Sequence, residues 1–245
     1  MGQIIMSGIV PKLTIPISGG GNGSGGSSYN ANFEDNTWQQ IITACQSNSV
    51  PETWVVGDSK SMTINGTDYQ IDIIGKNHDT YSSGGTAPLT FQMHDCYTTN
   101  YQMNSSESNS GGWTNCNMRK THLPAILTKM PSEVQSGIKE VNKLTTAGNQ
   151  SSTVNTTADK LFLLSEVEYL GYTNNSLSGE GSQYAYYSAG NSQDKGDMHW
   201  LRSPYKGDSG CFCVHHSSDS TSSPKTTYYV ANYSNGHTVA FAFCF

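Results

Sequence analysis

Cys211 and Cys213 are followed closely by His215 and His216. On a strand the two-residue period puts Cys211, Cys213 and His215 on one side, which is the beginning of a zinc site. Structural zinc needs a second ligand pair at comparable spacing. The sequence supplies none, so no metal is expected. His78-Asp79 could be a ligand or acid–base pair, but no cluster of His and Asp surrounds it, and a loop hydrogen bond accounts for it. Gly179-Glu-Gly181 lacks the preceding strand and following helix of a phosphate-binding loop and reads as a turn. There is no Gly-x-Ser-x-Gly elbow, and no cysteine sits in a local setting that would lower its pKa. Neither catalysis nor a cofactor is expected.

The remaining chemistry is that of contact. Residues 205 to 238 are almost wholly Ser, Thr, Asn, Asp, Gly, His and Tyr, a composition of loops and surfaces rather than of cores. Tyrosine among Ser, Asn and Gly offers large amphipathic contact area at small entropic cost, as in antibody paratopes. The side chains large or polar enough to anchor a ligand are Tyr205, Asp208, His215, His216, Asp219, Tyr228, Tyr229, Asn232, Tyr233 and His237.

Such a segment needs fixed ends. Trp200-Leu-Arg-Ser-Pro204 precedes it, and Val239-Ala-Phe-Ala-Phe-Cys-Phe245 closes it. In the closing run Phe241, Phe243 and Phe245 alternate with Ala240, Ala242 and Cys244, the period of a strand. Neither side is polar, so the run is expected inside a sheet.

Upstream, residues 1 to 28 form a separate unit. Ile9 to Ile17 is interrupted by prolines and suits an extended arm, and Ser18 to Ser28 is a Gly/Ser linker. A single domain over 29–245 follows. Its first helix, capped by Asp35 or Asn36, buries Trp38, Ile41, Ile42 and Cys45. Strands are expected at Thr53 to Val56, Ser61 to Ile64, Tyr69 to Ile74 and Leu89 to Met93, with Asn65-Gly66 as a type I′ turn. A second helix spans about Asn115 to Met130 with a break near Pro124. Ile138 to Leu144 and Lys160 to Leu164 read as strands around a polar loop, Thr145 to Thr157. Strands resume at His199 to Arg202, Cys211 to His215 and Thr227 to Ala231. The fold class is α+β: two helices packed on short antiparallel strands with long polar loops.

Composition narrows the function classes. The 245 residues are 35% hydrophobic and only 13% charged, against a usual charged fraction of about 25%. Hydroxyls and amides carry the solubility, as in secreted adhesins and phage surface proteins. A net charge of -6 with scattered Lys and Arg offers no basic stripe, so nucleic acid is not an expected partner. No apolar run reaches the ~20 residues of a membrane helix, and the N-terminus lacks the basic region of a signal peptide. Synthesis in the cytoplasm without a signal peptide is expected. Six cysteines allow disulfides, but in a chain of this size buried free thiols are expected.

Several stretches together resemble a known family. Gly111-Gly-Trp-Thr-Asn-Cys-Asn-Met-Arg119, Thr156-Thr-Ala-Asp-Lys-Leu-Phe-Leu-Leu-Ser165, Gly179-Glu-Gly-Ser-Gln-Tyr184, Trp200-Leu-Arg-Ser-Pro204 and Val239-Ala-Phe-Ala-Phe-Cys244 look like a domain of unassigned function in phage tail and bacterial surface proteins. That domain resembles the C-type lectin-fold variable proteins of diversity-generating retroelements, of the major tropism determinant type. The resemblance implies a C-type lectin-like fold and a receptor-binding protein at a phage tail-fibre tip, with the variable ligand surface in the C-terminal segment. It implies a virion location, trimeric display, a host cell-surface protein or glycan as ligand, and docking to tail or baseplate through the N-terminal arm. Adenine-directed mutagenesis of AAC codons cannot produce Lys, Glu, Gln, Met or Trp, and from Gly207 to Thr238 only Lys225 lies outside the attainable set. His237-Thr238 and Ala242 depart from the family's closing pattern, and no Glu-Pro-Asn or Gln-Pro-Asp tripeptide points to calcium. Two other functions remain open: an oxidase resembling the formylglycine-generating enzymes, with Cys211, Cys213 and Cys244 as candidates, and a structural tail protein.

Overall fold

The computed structural model describes residues 29–216 and 225–245. The N-terminal arm, the linker and Asp219 lie outside them. The first helix, α1 (Trp38–Gln46), is capped by Thr37 rather than by Asp35 or Asn36. The Thr37 hydroxyl accepts from Gln40 N–H, and the Gln40 side chain accepts from Thr37 N–H, a reciprocal capping box. Asn36 instead donates its amide to the carbonyls of Asn30, Asn32 and Phe33 and closes a 3-10 turn. Trp38, Ile41, Ile42 and Cys45 are buried, as their spacing predicts.

Three sheets follow. Strands β1 (Ser59–Ile64), β2 (Thr67–Lys76) and β3 (Leu89–Met93) form an antiparallel meander, and Asn65 and Gly66 both take the positive φ that a type I′ turn requires. A second sheet begins with β4 (Tyr97–Tyr101), which was not expected from sequence. A two-stranded hairpin is made by β5 (Val141–Thr146) and β6 (Val154–Asp159). The second sheet is completed by β7 (His199–Pro204), β8 (Cys211–His215), β9 (Thr226–Val230) and β10 (His237–Val239), in the order β4-β10-β7-β8-β9. The last strand, β11 (Ala242–Cys244), returns beside β3 in the first sheet.

The closing run is buried throughout, but it is not one strand. Its first part joins the second sheet as β10, Ala240 and Phe241 cross over, and β11 joins the first sheet. Both sheets thus share one core. Phe91 of β3 meets Phe33, Trp38, Phe243 and Phe245 at centroid distances of 5.3 to 6.2 Å.

Other expectations are corrected. Thr53 to Val56 is a turn that inserts Trp54 into the core, where its indole donates to the Asn30 carbonyl. The expected loop Thr145 to Thr157 contains most of β6: Val154, Thr156 and Ala158 face outward from a paired backbone, while Thr157 and Asp159 turn inward. Lys160 to Leu164 is a connector, exposed at Lys160 and buried from Leu161 onward, with a single bridge, Phe162 to Ala242. The second helix divides into α2 (Gly112–Asn115), a π-turn (Met118–His122) and α3 (Leu123–Leu127). Pro124 does not break it, because a proline in the first turn of a helix removes a donor that has no partner there. A further short helix, α4 (Ser132–Gly137), packs on α1.

Beneath the second sheet lies a frame of buried charges. Arg202 of β7 is fully buried and makes a bidentate pair with Glu168 of α5 (Glu166–Leu170). Glu168 also accepts from Lys143 of β5 at 2.8 Å, and Lys143 reaches Asp79 at 2.8 Å and the Tyr184 hydroxyl at 3.0 Å. Burial pushes the Asp79 and Glu168 carboxyls up, but the adjacent Lys143 and Arg202 outweigh it; Asp79 is held down at about 2. Gly179-Glu-Gly181 is more than a turn. Glu180 is buried, accepts from Thr146 N–H at 2.8 Å and from the Ser203 hydroxyl, and burial raises its pKa. A second knot is Asp159, which accepts from the Trp113 indole, the Thr157 hydroxyl and Arg119. The distinctive stretches at 111–119, 156–165, 179–184 and 200–204 therefore converge because their charged and hydroxyl groups satisfy one another out of water.

Candidate functional site

The segment from Tyr205 to Thr238 leaves the frame at β7 and returns to it at β10, with β9 as the outer edge of the second sheet. Side chains alternate along β9, and the register places Tyr228 opposite Cys213 and Tyr229 opposite Phe212. The two tyrosines therefore leave opposite faces, and the candidate residues divide into two patches rather than one surface.

The first patch is built on Tyr205 and Tyr228, whose rings stack at 3.7 Å and 9°. Tyr228 is 44% exposed. Asp208 lies on the neighbouring loop, exposed, its carboxylate accepting from Gly210 N–H at 2.5 Å. That loop is held from below by Asn109, a fully buried residue. Its amide donates to the carbonyls of Asp208 and Cys211, both at 2.8 Å, and its backbone N–H donates to Ser209 at 2.6 Å. Asn109 Oδ1 accepts in turn from Asn149 N–H. The approach needs glycine at 148: its φ is +75°, and a Cβ there would lie 1.8 Å from the Asn109 carbonyl oxygen.

The second patch contains Tyr229, Asn232 and Tyr233, each half-buried. Tyr229 and Tyr233 pack on His237 at 4.4 and 4.9 Å, and Trp200 closes the cluster at 4.9 Å. The Gln102 amide pins the carbonyls of Asn232 and Tyr233 from β4's side. His237 is 9% exposed, and its Nε2 has no hydrogen-bond partner among the described residues. Aromatic edges and faces meet it instead, and burial lowers its pKa to about 4.

His215 does not belong to either surface. It is 1% exposed and stacks with Tyr169 and His199, each at 5.1 Å, so it is a core residue and not a ligand anchor. Its Nδ1 meets the His216 carbonyl oxygen at 2.6 Å. β8 is buried on both sides, and on the side that Cys211, Cys213 and His215 share the ring of Tyr169 covers His215. His216 is half-buried and pairs its N–H with the Lys225 carbonyl. Among the described residues no three His, Cys, Asp or Glu side chains converge as a metal site requires.

Two further residues position the edge strand, and neither stands out in the sequence. Glu166, fully buried, accepts from the backbone N–H groups of Asn174, Asn175 and Ser176 and from the Thr226 hydroxyl. Asn175 donates to the Thr226 carbonyl at 2.9 Å. The start of β9 is thereby tied to α5. Ser165 and Glu168 form a reciprocal capping box at the start of that helix, the local signal that could have located it; nothing local distinguishes Glu166 from a solvent-facing acid.

All six cysteines are buried and free. Burial pushes the Cys213 and Cys244 thiols well up and the Cys211 thiol to about 11. Cys244, in the first sheet, turns its Sγ to Thr90 and Asp79 rather than to Cys211 or Cys213 of the second. No helix among the described residues is long and apolar enough to cross a membrane.

Fold and surface together define a mixed α+β protein, mostly sheet with few short helices, in which a tyrosine-rich edge is carried on a buried ionic frame. The chain belongs to the family described as Domain of unknown function (DUF6273), whose model matches residues 89–241, from β3 to the crossover at Phe241. No curated protein and no solved structure matches it.

Proposed function

We propose that this protein is a receptor-binding protein of a phage tail-fibre tip, built on a C-type lectin-like fold and recognising a host cell-surface protein or glycan through the β9 edge. The carrying observation is the pairing of exposed tyrosines with a locked backbone. Tyr205 and Tyr228 present stacked rings from a loop and a strand whose main chains are held by Asn109, Glu166 and Asn175. Preorganised aromatic surface binds without a large ordering cost. A segment closed at both ends by buried strands can also change its exposed residues without disturbing the frame. In this proposal the protein sits in the virion, residues 1–28 attach it to tail or baseplate, and trimeric display supplies avidity. The oxidase alternative needs a reactive cysteine pair, and the buried, high-pKa thiols of Cys211, Cys213 and Cys244 give it no support.

The test is attachment of the purified protein to a panel of bacterial cells. Tyr228→Ala or Tyr229→Ala is expected to weaken attachment by roughly tenfold or more with little change in Tm. Loss in one variant alone assigns the ligand to that patch. Attachment unchanged in both ends the proposal. Trp200→Ala serves as the contrast. Its side chain is 1% exposed and its indole donates to Tyr101, so it is expected to cost about 3–5 kcal/mol of stability. At the level of DNA, the proposal expects a near-copy of the codons for residues 200 to 245 beside the gene, with a reverse transcriptase nearby.

A further inference from the structure

We infer a second ligand site, away from the β9 edge: a cavity of about 310 Å³ beside the π-turn that fits a small amphiphile with an anionic head on a short aliphatic body. Its volume lies at the lower end of small-molecule pockets, ~300–1,000 Å³. The walls divide chemically. The buried Leu123 and Leu161 make an apolar floor, with the half-buried Leu127 and exposed Pro124 extending the apolar wall, while Lys120 and Lys160 stand exposed at the mouth.

The charges favour an anion. Five charged residues line the cavity: Arg119, Lys120 and Lys160 against Glu140 and Asp159, one net positive charge in a chain of -6. The charge of Asp159 is offset, because Arg119 pairs with its Oδ1 at 2.5 Å and the Trp113 indole and Thr157 hydroxyl both donate to its Oδ2. The lysines are uncommitted by comparison. Lys120 donates only to the neutral amide oxygen of Asn115, at 2.9 Å, and Lys160 makes no hydrogen bond or ion pair among the described residues. A bare inorganic anion would leave the floor wet, and a neutral hydrocarbon would leave the ammonium groups unused. An aliphatic body with a carboxylate or phosphate head uses both walls.

The local backbone also marks the place. Leu123 N–H donates to the Met118 carbonyl across five residues, the π pattern, and such turns in helices occur frequently at functional sites. The π-turn supplies Arg119 and Lys120, and the connector after β6 supplies Lys160 and Leu161. Two of the distinctive sequence stretches, 111–119 and 156–165, therefore meet at this cavity.

The full-length protein should be titrated by calorimetry or NMR with hexanoate, hexyl phosphate, hexanol and acetate. Saturable binding of hexanoate or hexyl phosphate is expected, roughly tenfold tighter than hexanol or acetate, and the tighter of the two identifies the head group. Lys120→Gln combined with Lys160→Gln changes only exposed side chains. It is expected to lower the affinity for the charged probe by roughly fivefold to tenfold without changing that for hexanol or the Tm. The inference is overturned if neither charged probe saturates in the millimolar range, if hexanol binds equally well, or if the double variant binds unchanged.

Discussion

The Asn109 amide donates to the Asp208 carbonyl at 2.8 Å from a position with no exposed surface, so a buried residue ahead of α2 sets the shape of a surface loop nearly a hundred residues later. Asn109→Ala removes one donor shared among the carbonyls of Asp208, Cys211 and Tyr205. A cost of about 1–3 kcal/mol is expected, the range for buried polar groups left unpaired. Amide exchange should accelerate in residues 205–211 before it does in β7. Equal protection in variant and parent would show that Asn109 does not hold the loop.

Arg202 and Glu168 test the frame. Removing one partner of a buried ion pair typically costs 3–5 kcal/mol, and Arg202→Met leaves Glu168 with Lys143 as its one remaining cation among the described residues. Denaturant unfolding is expected to show that loss. Arg202→Met combined with Glu168→Leu should recover part of it, since an uncompensated carboxylate no longer remains. A double variant as unstable as the sum of the singles would contradict the coupling.

Stability should fall in mild acid. Burial lowers the pKa of His215 and His237 from 6.5 to about 4 and that of His199 well below its ordinary value. Between 6.5 and 4 the unfolded chain binds more protons than the folded one, so the stability is complete above 6.5 and is lost as pH drops through that window. For His215 alone the effect is on the order of 3 kcal/mol. Glu180 acts in the opposite sense, because its raised pKa makes stability fall as pH rises past 4.5. Comparing parent with His215→Phe isolates the histidine: the variant's stability should be flatter from pH 6.5 to 4. Parallel curves would refute the assignment.

Thiol titration addresses the cysteines. With all six buried and free, native protein is expected to react slowly and denatured protein to release six equivalents. A thiol reacting rapidly in the folded state, lost together with a measurable oxidase activity, would instead favour a catalytic role.

Much of the architecture was legible in the sequence where apolar residues recur at a fixed period. α1, the Asn65-Gly66 hairpin, β3 and β8 fall within a residue or two of their expected places, because one buried face imposes a local rhythm. Boundaries failed where local rhythm and tertiary pairing differ. The Thr and Asn run of β6 carries no apolar alternation, yet pairing with β5 makes it a strand. Lys160 to Leu164 has the apolar content of a strand, yet it packs as a connector.

The sequence by itself determined the polarity of the segment from Tyr205 to Thr238, the burial of its two flanks and the absence of a local catalytic or metal motif. Those properties follow from residue types and short spacings. The tertiary structure alone decided which candidates face outward. The pairing of β9 with β8 sends Tyr228 and Tyr229 to opposite faces, and the ring of Tyr169 covers His215. It alone revealed Asn109, Glu166 and the Arg202–Glu168 pair as the parts that hold the surface. Arg202 meets Glu168 34 residues away, Glu166 meets Thr226 60 residues away and Asn109 meets Cys211 102 residues away, and no local pattern encodes a hydrogen bond made across such distances.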